Sequence, residues 1–74
     1  MKIKISGLQS IKNFINIANK YPFDIILKSN KYVVDAKSIM GVFSLDLSKP
    51  VSVEIIGECP NKEQFLEEIK IYQV

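Results

Sequence analysis

The sequence predicts an α+β fold in which a four-stranded antiparallel sheet is covered on one face by helices, in the order β-α-β-β-α-β-α. Four segments are rich in β-branched residues or alternate between polar and apolar residues, which is typical of strands. Three other segments repeat their apolar residues at helical spacing. Glycine, proline and asparagine separate the segments, and no repeat or linker interrupts them. We therefore expect a single open-faced sandwich domain over residues 1–74.

The chain begins with a predicted strand and a predicted helix. Residues 2–5 alternate between lysine and isoleucine, which indicates a half-buried strand. The apolar residues of segment 8–18 fit a helix of about three turns. Either Ser6 or Ser10 is expected to cap its first turn. Pro22 ends this helix, because proline disfavours the α conformation for the residue before it.

A hairpin and a short helix follow. Residues 23–29 and 31–36 form two β-branched runs, and Asn30 between them tolerates the left-handed backbone of a tight turn. Ser38 then precedes a short apolar run, which predicts a helix capped by the serine. Because Gly41 inside this run lowers helix propensity, we expect the helix to be short and locally weak.

The last part of the chain predicts one strand and one helix. Pro50 precedes a strand over residues 51–55, whose apolar residues alternate onto one face. Asn61 and Gln64 have the spacing of a capping box for the last helix. This helix is expected to bury three apolar residues, namely Phe65, Leu66 and Ile69. Its charged residues are expected to face water, namely Glu63, Glu67, Glu68 and Lys70.

The composition argues against several classes of function. The chain has no histidine and no arginine, and its formal net charge is +2. Because arginine is the usual residue for recognition of phosphates and bases, we expect no direct binding of nucleic acid. The lack of histidine removes the commonest general base and a common metal ligand. No catalytic residues, no metal site and no cofactor are therefore expected.

The sequence also indicates a cytoplasmic protein. Its first residues lack the apolar segment of a signal peptide, and its apolar runs are too short to span a membrane. The single cysteine, Cys59, cannot form an internal disulfide, which fits a reducing compartment. We interpret Cys59 as incidental, because no histidine is present to activate it.

The stretch VDAKSIMGVFSL, residues 34–45, and the predicted order of elements resemble the HPr family. These proteins are the small phosphocarriers of the bacterial sugar phosphotransferase system. The resemblance is most specific at residues 36–42, AKSIMGV. It extends back through residues 17–34 and forward through residues 52–58 to the last helix, which is shorter here. The resemblance implies the HPr fold, which has the order β-α-β-β-α-β-α.

The same resemblance implies that the family's phosphocarrier site is degenerate. In HPr proteins the loop before the first helix carries Gly-Ile-His-Ala-Arg-Pro-Ala, and its histidine accepts a phosphoryl group. Gly7 falls at the histidine, Gln9 at the arginine and Ser10 at the proline. Glycine has no nucleophile, so phosphoryl transfer through this position is excluded. A carrier would need Ser6 or Ser10 as its acceptor, and neither serine has a base beside it.

The backbone N–H groups of residues 6–8 allow two interpretations of this loop. They could still form an anion-binding helix start, as the N–H groups of a helix N-terminus often do. A plain turn between strand and helix is the simpler interpretation.

Ser38 has two interpretations that are compatible with each other. Its position is that of a helix N-cap, which contributes about 1 kcal/mol to stability. The resemblance implies a phosphorylation site, because an HPr serine kinase modifies the serine of this motif in HPr proteins of low-GC Gram-positive bacteria. The histidine-less branch of the family, the catabolite-repression HPr homologues, retains this serine. Its phosphorylated form acts as a corepressor for a LacI-type transcription regulator.

Because this sequence is similar to that branch, we expect a regulatory protein of carbon catabolite regulation. Its expected partners are an HPr serine kinase and a LacI-type transcription regulator or another protein, with no direct contact to nucleic acid or membrane. The alternative is an unmodified protein-interaction domain of the HPr fold, in which Ser38 is only a helix cap.

Lys37, Ile39, Met40 and Phe43 are the expected partner-binding residues around Ser38. Adjacent helical residues point about 100° apart, so one short helix cannot bury all of its apolar residues against one sheet. Exposed apolar residues of this kind are typical of docking surfaces, whereas the simpler interpretation is that they belong to the core. Lys37 is expected to attract an acidic partner or the ATP-bearing kinase.

Overall fold

The computed structural model describes residues 1–74 and has the predicted order of four strands and three α-helices. The strands are β1 (Lys2–Ile3), β2 (Ile25–Ser29), β3 (Tyr32–Asp35) and β4 (Val51–Ile55). The helices are α1 (Leu8–Asn19), α2 (Ile39–Phe43) and α3 (Lys62–Glu68), and a 3-10 helix (Ile69–Tyr72) continues α3. The predicted fold class is therefore confirmed.

The four strands form one antiparallel sheet in the order β1-β4-β2-β3. β2 and β3 make the predicted hairpin, and Asn30 in its turn has a φ of 52°. In the centre of the sheet, Leu27 of β2 lies opposite Val53 of β4. Both side chains are buried, so this face of the sheet carries the helices and the core. β1 and β3 are the two edge strands.

The core is one cluster of 17 buried hydrophobic residues, and it contains no buried polar residue. α1 contributes a stripe of residues at helical spacing, namely Ile11, Phe14, Ile15 and Ala18. α3 contributes Phe65, which is fully buried. The Phe65 ring lies 5.3 Å from the ring of Tyr21 and 6.0 Å from the ring of Phe23, measured between centroids. This aromatic cluster packs α3 against the chain that leaves α1.

β1 is shorter than the predicted strand over residues 2–5. Its ladder with β4 pairs Ile3 with Val51, so the next residue, Lys4, lies opposite Pro50. Because proline has no N–H group, the ladder ends there. Lys4 instead donates its N–H to the carbonyl of Tyr72 at 2.9 Å, in the C-terminal segment.

α1 begins after a glycine, so the prediction that Ser6 or Ser10 caps it is wrong. Gly7 is the N-cap and makes no side-chain cap bond. Its φ of 87° and ψ of 149° lie close to a region that only glycine adopts readily. Ser6 precedes this turn, and Ser10 lies inside the first turn of the helix. The reversal from β1 into α1 therefore depends on backbone freedom and not on a capping side chain.

The capping box predicted for α3 is also absent. Asn61 is the N-cap, but its side chain makes no cap hydrogen bond. The backbone of Asn61, with a φ of −100° and a ψ of 23°, differs from the extended conformation that places a capping side chain over the first turn. The sequence therefore predicted the position of the N-cap of α3 correctly. It did not predict correctly the capping hydrogen bonds of the Asn61 and Gln64 side chains.

Glu68 does not face water as the sequence predicts. Its carboxylate is half-buried at the end of α3 and accepts hydrogen bonds from the Lys20 ammonium and the Tyr21 hydroxyl. These bonds hold the pKa of Glu68 below its usual value, the bond from Lys20 having the larger effect. Burial, together with the Glu68 carboxylate, raises the pKa of Tyr21 to about 12. We call these three residues the Glu68 clasp, and it joins the end of α1 to α3.

The contribution of the Glu68 clasp to stability is expected to depend on pH at both extremes. Because the pKa of Glu68 is lowered by folding, its contribution is present above the ordinary value of about 4.3 and is lost as the pH falls through the lowered value. The pKa of Tyr21 is raised, so its contribution is present below 10.0 and is lost as the pH rises to about 12.

Urea unfolding of the wild type and Tyr21→Phe at several pH values tests this expectation. The variant cannot donate to Glu68 and has no phenol to ionise. Its stability should therefore fall less than that of the wild type at both ends of the pH range. Parallel stability profiles for the two proteins would contradict a role for the clasp.

Candidate functional site

Ser38 lies at the start of α2 and is its N-cap, as the sequence predicts. Its backbone is extended, with a φ of −99° and a ψ of 116°. Its Oγ accepts a hydrogen bond from the N–H of Gly41 at 3.2 Å. The residue as a whole is only partly buried. Modification of Oγ would compete with the cap bond without requiring the core to open.

The segment that precedes Ser38 is attached to the end of α1. Lys37 donates from Nζ to the carbonyl of Tyr21 at 2.6 Å, and Asn19 donates from Nδ2 to the carbonyl of Lys37 at 3.3 Å. Asp35 accepts the backbone N–H of Lys37 at 2.9 Å. These bonds hold Ser38 in a defined position. They give Lys37 a structural role, and its attraction for a partner stays a prediction.

The apolar residues of α2 are divided between the core and the surface. Val42 is buried, whereas Ile39, Met40 and Phe43 are exposed. We call these three exposed residues the docking patch. The expectation that α2 cannot bury all its apolar residues is confirmed, and binding of a partner to the docking patch stays a prediction. Ser38 directly precedes this patch in the chain.

Gly41 allows α2 to approach β3 closely. A Cβ atom at this position would lie 3.3 Å from the Cβ of Val34, which is tighter than ordinary contact. Glycine also lowers helix propensity, and α2 is only five residues long. The hydroxyl of Ser44 donates to the carbonyl of Gly41 at 2.6 Å and satisfies it at the helix end. Gly41 thus allows α2, which carries the docking patch, to pack closely on β3, but it also disfavours a longer helix.

Leu8 is an exposed apolar residue at the start of α1. More than half of its surface is exposed. Helical spacing places Leu8 on the same flank of α1 as Asn19, which contacts the segment before α2. Leu8 begins α1 and Asn19 ends it, so the two residues lie at opposite ends of this flank. The sequence signal for the exposure of Leu8 is weak, since Leu8 precedes the first buried residue of the helix, Ile11.

The residues that align with the phosphocarrier loop do not form a site together. Gly7 is the N-cap of α1. Gln9 donates from Nε2 to Oδ1 of Asn13 at 3.0 Å, along the surface of the helix. Ser10 is half-buried in the first turn. No hydrogen bond joins these three residues to one another.

No group of three or more His, Cys, Asp or Glu side chains is placed to hold a metal ion. None of the helices is long and apolar enough to cross a membrane.

Comparison with known proteins identifies the family. The family model described as the PTS HPr component phosphorylation site matches residues 8–72. The chain belongs to the HPr family. A curated HPr relative, the HPr-like protein Crh of Bacillus subtilis (strain 168), is 34% identical over 59 residues, which cover 80% of this chain and 69% of Crh. Because this HPr-family chain contains no histidine, none of its residues can carry a phosphoryl group on an imidazole.

Solved structures of HPr proteins share the fold of this chain. HPr-C-His from Thermoanaerobacter tengcongensis has a TM-score of 0.80 at 24% identity, covering 96% of this chain and 85% of its own. The phosphocarrier protein HPr from Bacillus anthracis (strain Ames) has a TM-score of 0.76 at 24% identity, covering 100% and 94%. Crh from Bacillus subtilis, described as a dimer with a swapped domain, has a TM-score of 0.71 at 27% identity, covering 97% and 86%.

Proposed function

We propose that this protein is a non-enzymatic, cytoplasmic regulator of the HPr family that is switched by phosphorylation of Ser38 in carbon catabolite regulation. The observation that carries the proposal is a partly exposed serine that lies directly before the exposed docking patch. The similarity to Crh supports a regulatory role related to the phosphotransferase system. The lack of any histidine supports a role in which the serine alone is modified.

The proposed modification is transfer of the γ-phosphoryl group of ATP to Oγ of Ser38 by an HPr serine kinase. The new bond joins Oγ to phosphorus, the bond between the β- and γ-phosphates breaks, and the hydroxyl proton passes to a base of the kinase. ADP is the other product. A phosphoserine adds a charge of about −2 and three acceptor oxygens. These oxygens can accept the N–H of Gly41 in place of Oγ, so the fold is retained.

Phosphorylation would give the docking patch a strong charge at one end. Ile39, Met40 and Phe43 would then supply apolar contact, and the phosphate would bind a basic side chain of the partner by charge-assisted hydrogen bonds. We propose a LacI-type transcription regulator, or another protein, as that partner. The phosphate would also lower the net charge from +2 to about zero, which disfavours a direct role in nucleic-acid binding.

The hydrogen bond from the N–H of Gly41 to Oγ of Ser38 favours a second candidate function. Because Oγ already accepts the N–H of Gly41, Ser38 has a sufficient structural role without phosphorylation. The protein would then be an unmodified interaction domain that binds its partner through the docking patch alone.

Intact-mass measurement after incubation with ATP and the HPr serine kinase of the same organism separates the two functions. The wild type is expected to gain one phosphate and Ser38→Ala none. Ser44→Ala is the matched control, since Ser44 is an exposed serine at the other end of α2, and it should gain the phosphate. Ser38→Ala loses a cap worth about 1 kcal/mol, so circular dichroism must show that it is folded.

A genuine HPr protein in the same reaction shows that the kinase is active. If that HPr is phosphorylated while the wild type here gains no mass, phosphorylation of Ser38 is refuted and the unmodified interaction domain remains. Equal mass gain in Ser38→Ala would place the modification on a different residue and would also refute the proposal.

A further inference from the structure

The two edges of the sheet are covered to different extents. At β1, the C-terminal segment lies along the outer edge, where Gln73 bridges to Ile3 and the N–H of Val74 donates to the carbonyl of Lys2 at 3.1 Å. No strand lies beyond β3 in the sheet. Tyr32 and Val33 in β3 are 66% and 57% exposed. β3 is therefore an uncovered edge that carries exposed apolar residues, which is a typical site of strand pairing with another chain.

β3 directs free backbone groups towards this open edge. The N–H of Ala36 donates to the carbonyl of Ile25 in β2 at 2.9 Å. Residues along an antiparallel strand alternate between bonding to one neighbour and to the other, so Val33 and Asp35 point their N–H groups away from β2. The carbonyl of Asp35 is partly engaged, because it accepts the N–H of Ser38 at 3.1 Å. The edge therefore offers unpaired donors at alternate residues, as strand addition requires.

We propose that two copies of this protein pair antiparallel through β3, around a two-fold axis beside Val33. In this register Val33 lies opposite Val33 of the second copy, and Lys31 lies opposite Asp35 of the second copy. Tyr32 lies opposite Val34. The Val33 pair lies on the axis and occurs once, whereas each of the other two pairs occurs twice because of the two-fold symmetry. The sheets of the two copies then form one continuous sheet.

The side chains of β3, together with Lys31 in the turn directly before it, are complementary to themselves in this register. Opposite charges and aromatic with β-branched residues are the favourable cross-strand combinations, and both occur here. A shift of two residues in one direction would place Val33 opposite Asp35 and move Lys31 beyond the end of the partner strand, because the chain turns away after Asp35. A shift in the other direction would place Asp35 opposite Ser29 and leave Lys31 opposite Val33, so neither charge would have a partner. The charge pattern thus selects the register centred on Val33.

The dimer is expected to be weak and to depend on concentration. A four-residue edge buries less area than the roughly 1,200–2,000 Å² of a stable interface. The net charge of +2 keeps repulsion between the copies small. Because α2 packs on β3 where Gly41 meets Val34, the docking patches of both copies come to lie on one side of the dimer near the axis. The pairing would therefore present two docking patches to one partner.

Sedimentation equilibrium over micromolar to millimolar protein concentrations tests the pairing. The wild type is expected to dimerise reversibly. K31E places a carboxylate opposite Asp35 at two places in the dimer, which should raise the dissociation constant about tenfold or more. In K31E/D35N the side-chain amide at position 35 can still accept the N–H of Lys37. Because this amide is uncharged, it does not repel the new carboxylate at position 31 of the second copy, so dimerisation should recover at least in part. K49E is the control with the same net charge, since Lys49 is exposed in the loop before β4, and it should behave like the wild type.

Circular dichroism of each variant shows whether it is folded, and Lys31 lies in an exposed turn where its replacement is tolerated. A wild type that stays monomeric at millimolar concentration would overturn the proposal. A dimer of K31E as tight as that of the wild type would overturn it as well, because the copies would then associate through another surface. Failure of D35N to restore any affinity to K31E would refute the register centred on Val33.

Discussion

Phe65→Ala is expected to leave a large share of the protein unfolded in water at room temperature. Phe65 is completely buried, and its ring packs edge-on against the rings of Tyr21 and Phe23. Removing a buried phenylalanine costs about 3–5 kcal/mol, through lost transfer free energy and the cavity that remains. Small domains have unfolding free energies near the lower end of about 5–15 kcal/mol. The substitution should therefore consume most of the stability and detach α3 from the sheet.

Urea unfolding followed by circular dichroism measures this loss. Phe43→Ala is the matched control, because Phe43 has the same side chain but lies exposed in the docking patch. Its free energy of unfolding is expected to change by no more than about 0.5 kcal/mol. If the two variants lose similar stability, Phe65 is not the centre of the core that the structure describes. That result would also show that Phe43 is packed and unavailable to a partner.

Met40→Ala is expected to reduce the efficiency of Ser38 phosphorylation about tenfold or more, measured as kcat/KM of the HPr serine kinase. This expectation rests on the proposed function. Met40 is 78% exposed, lies two residues after Ser38 and is flexible enough to fit the surfaces of several partners. Removing it takes away apolar contact at the centre of the docking patch. Because the side chain contributes little to the core, the stability should change little.

Ile71→Ala provides the matched control for this measurement. Ile71 is 79% exposed, almost the same as Met40, but it lies in the 3-10 helix that follows α3. Its replacement should leave kcat/KM unchanged within experimental error. Equal losses in both variants would mean that exposed apolar area in general assists the kinase. Unchanged kcat/KM in Met40→Ala would show that the kinase recognises Ser38 without the docking patch.

The candidate site could be predicted only in part from the sequence. Ser38 and the exposure of the α2 residues follow from a cap signal and from the number of apolar residues in a short helix, and both are local properties. The family resemblance supplied the expectation of phosphorylation, which no spacing of residues indicates. The attachment of Lys37 to the carbonyl of Tyr21 could not be predicted, because these residues belong to different elements. The exposure of Leu8 could not be predicted either, since helical spacing indicates the apolar flank of a helix but not where its buried part begins.

The positions of most helices and strands follow from interactions between residues that are close in the sequence. Pro22 limits α1, Asn30 allows the hairpin and Ser38 caps α2, and each effect acts on the neighbouring backbone. The predicted serine cap of α1 and the predicted capping-box hydrogen bonds of α3 were wrong, because a side-chain cap also requires a particular backbone conformation. At Gly7 and Asn61 that conformation is set by how the chain enters the helix from the rest of the fold.

The sequence by itself thus determined the order of the elements, the apolar faces that form the core and the loss of the histidine site. Only the tertiary structure decided where β1 ends, that Glu68 is half-buried and that β3 is left uncovered. Glu68 and Tyr21 are 47 residues apart in the chain, and their hydrogen bond exists only once α3 has packed on the sheet. A periodic pattern reports which side of one element is apolar, but it carries no information on which distant segment will cover that side. That choice depends on the packing of the whole core, where Phe65 and the aromatic residues around it hold α3 against the segment that follows α1.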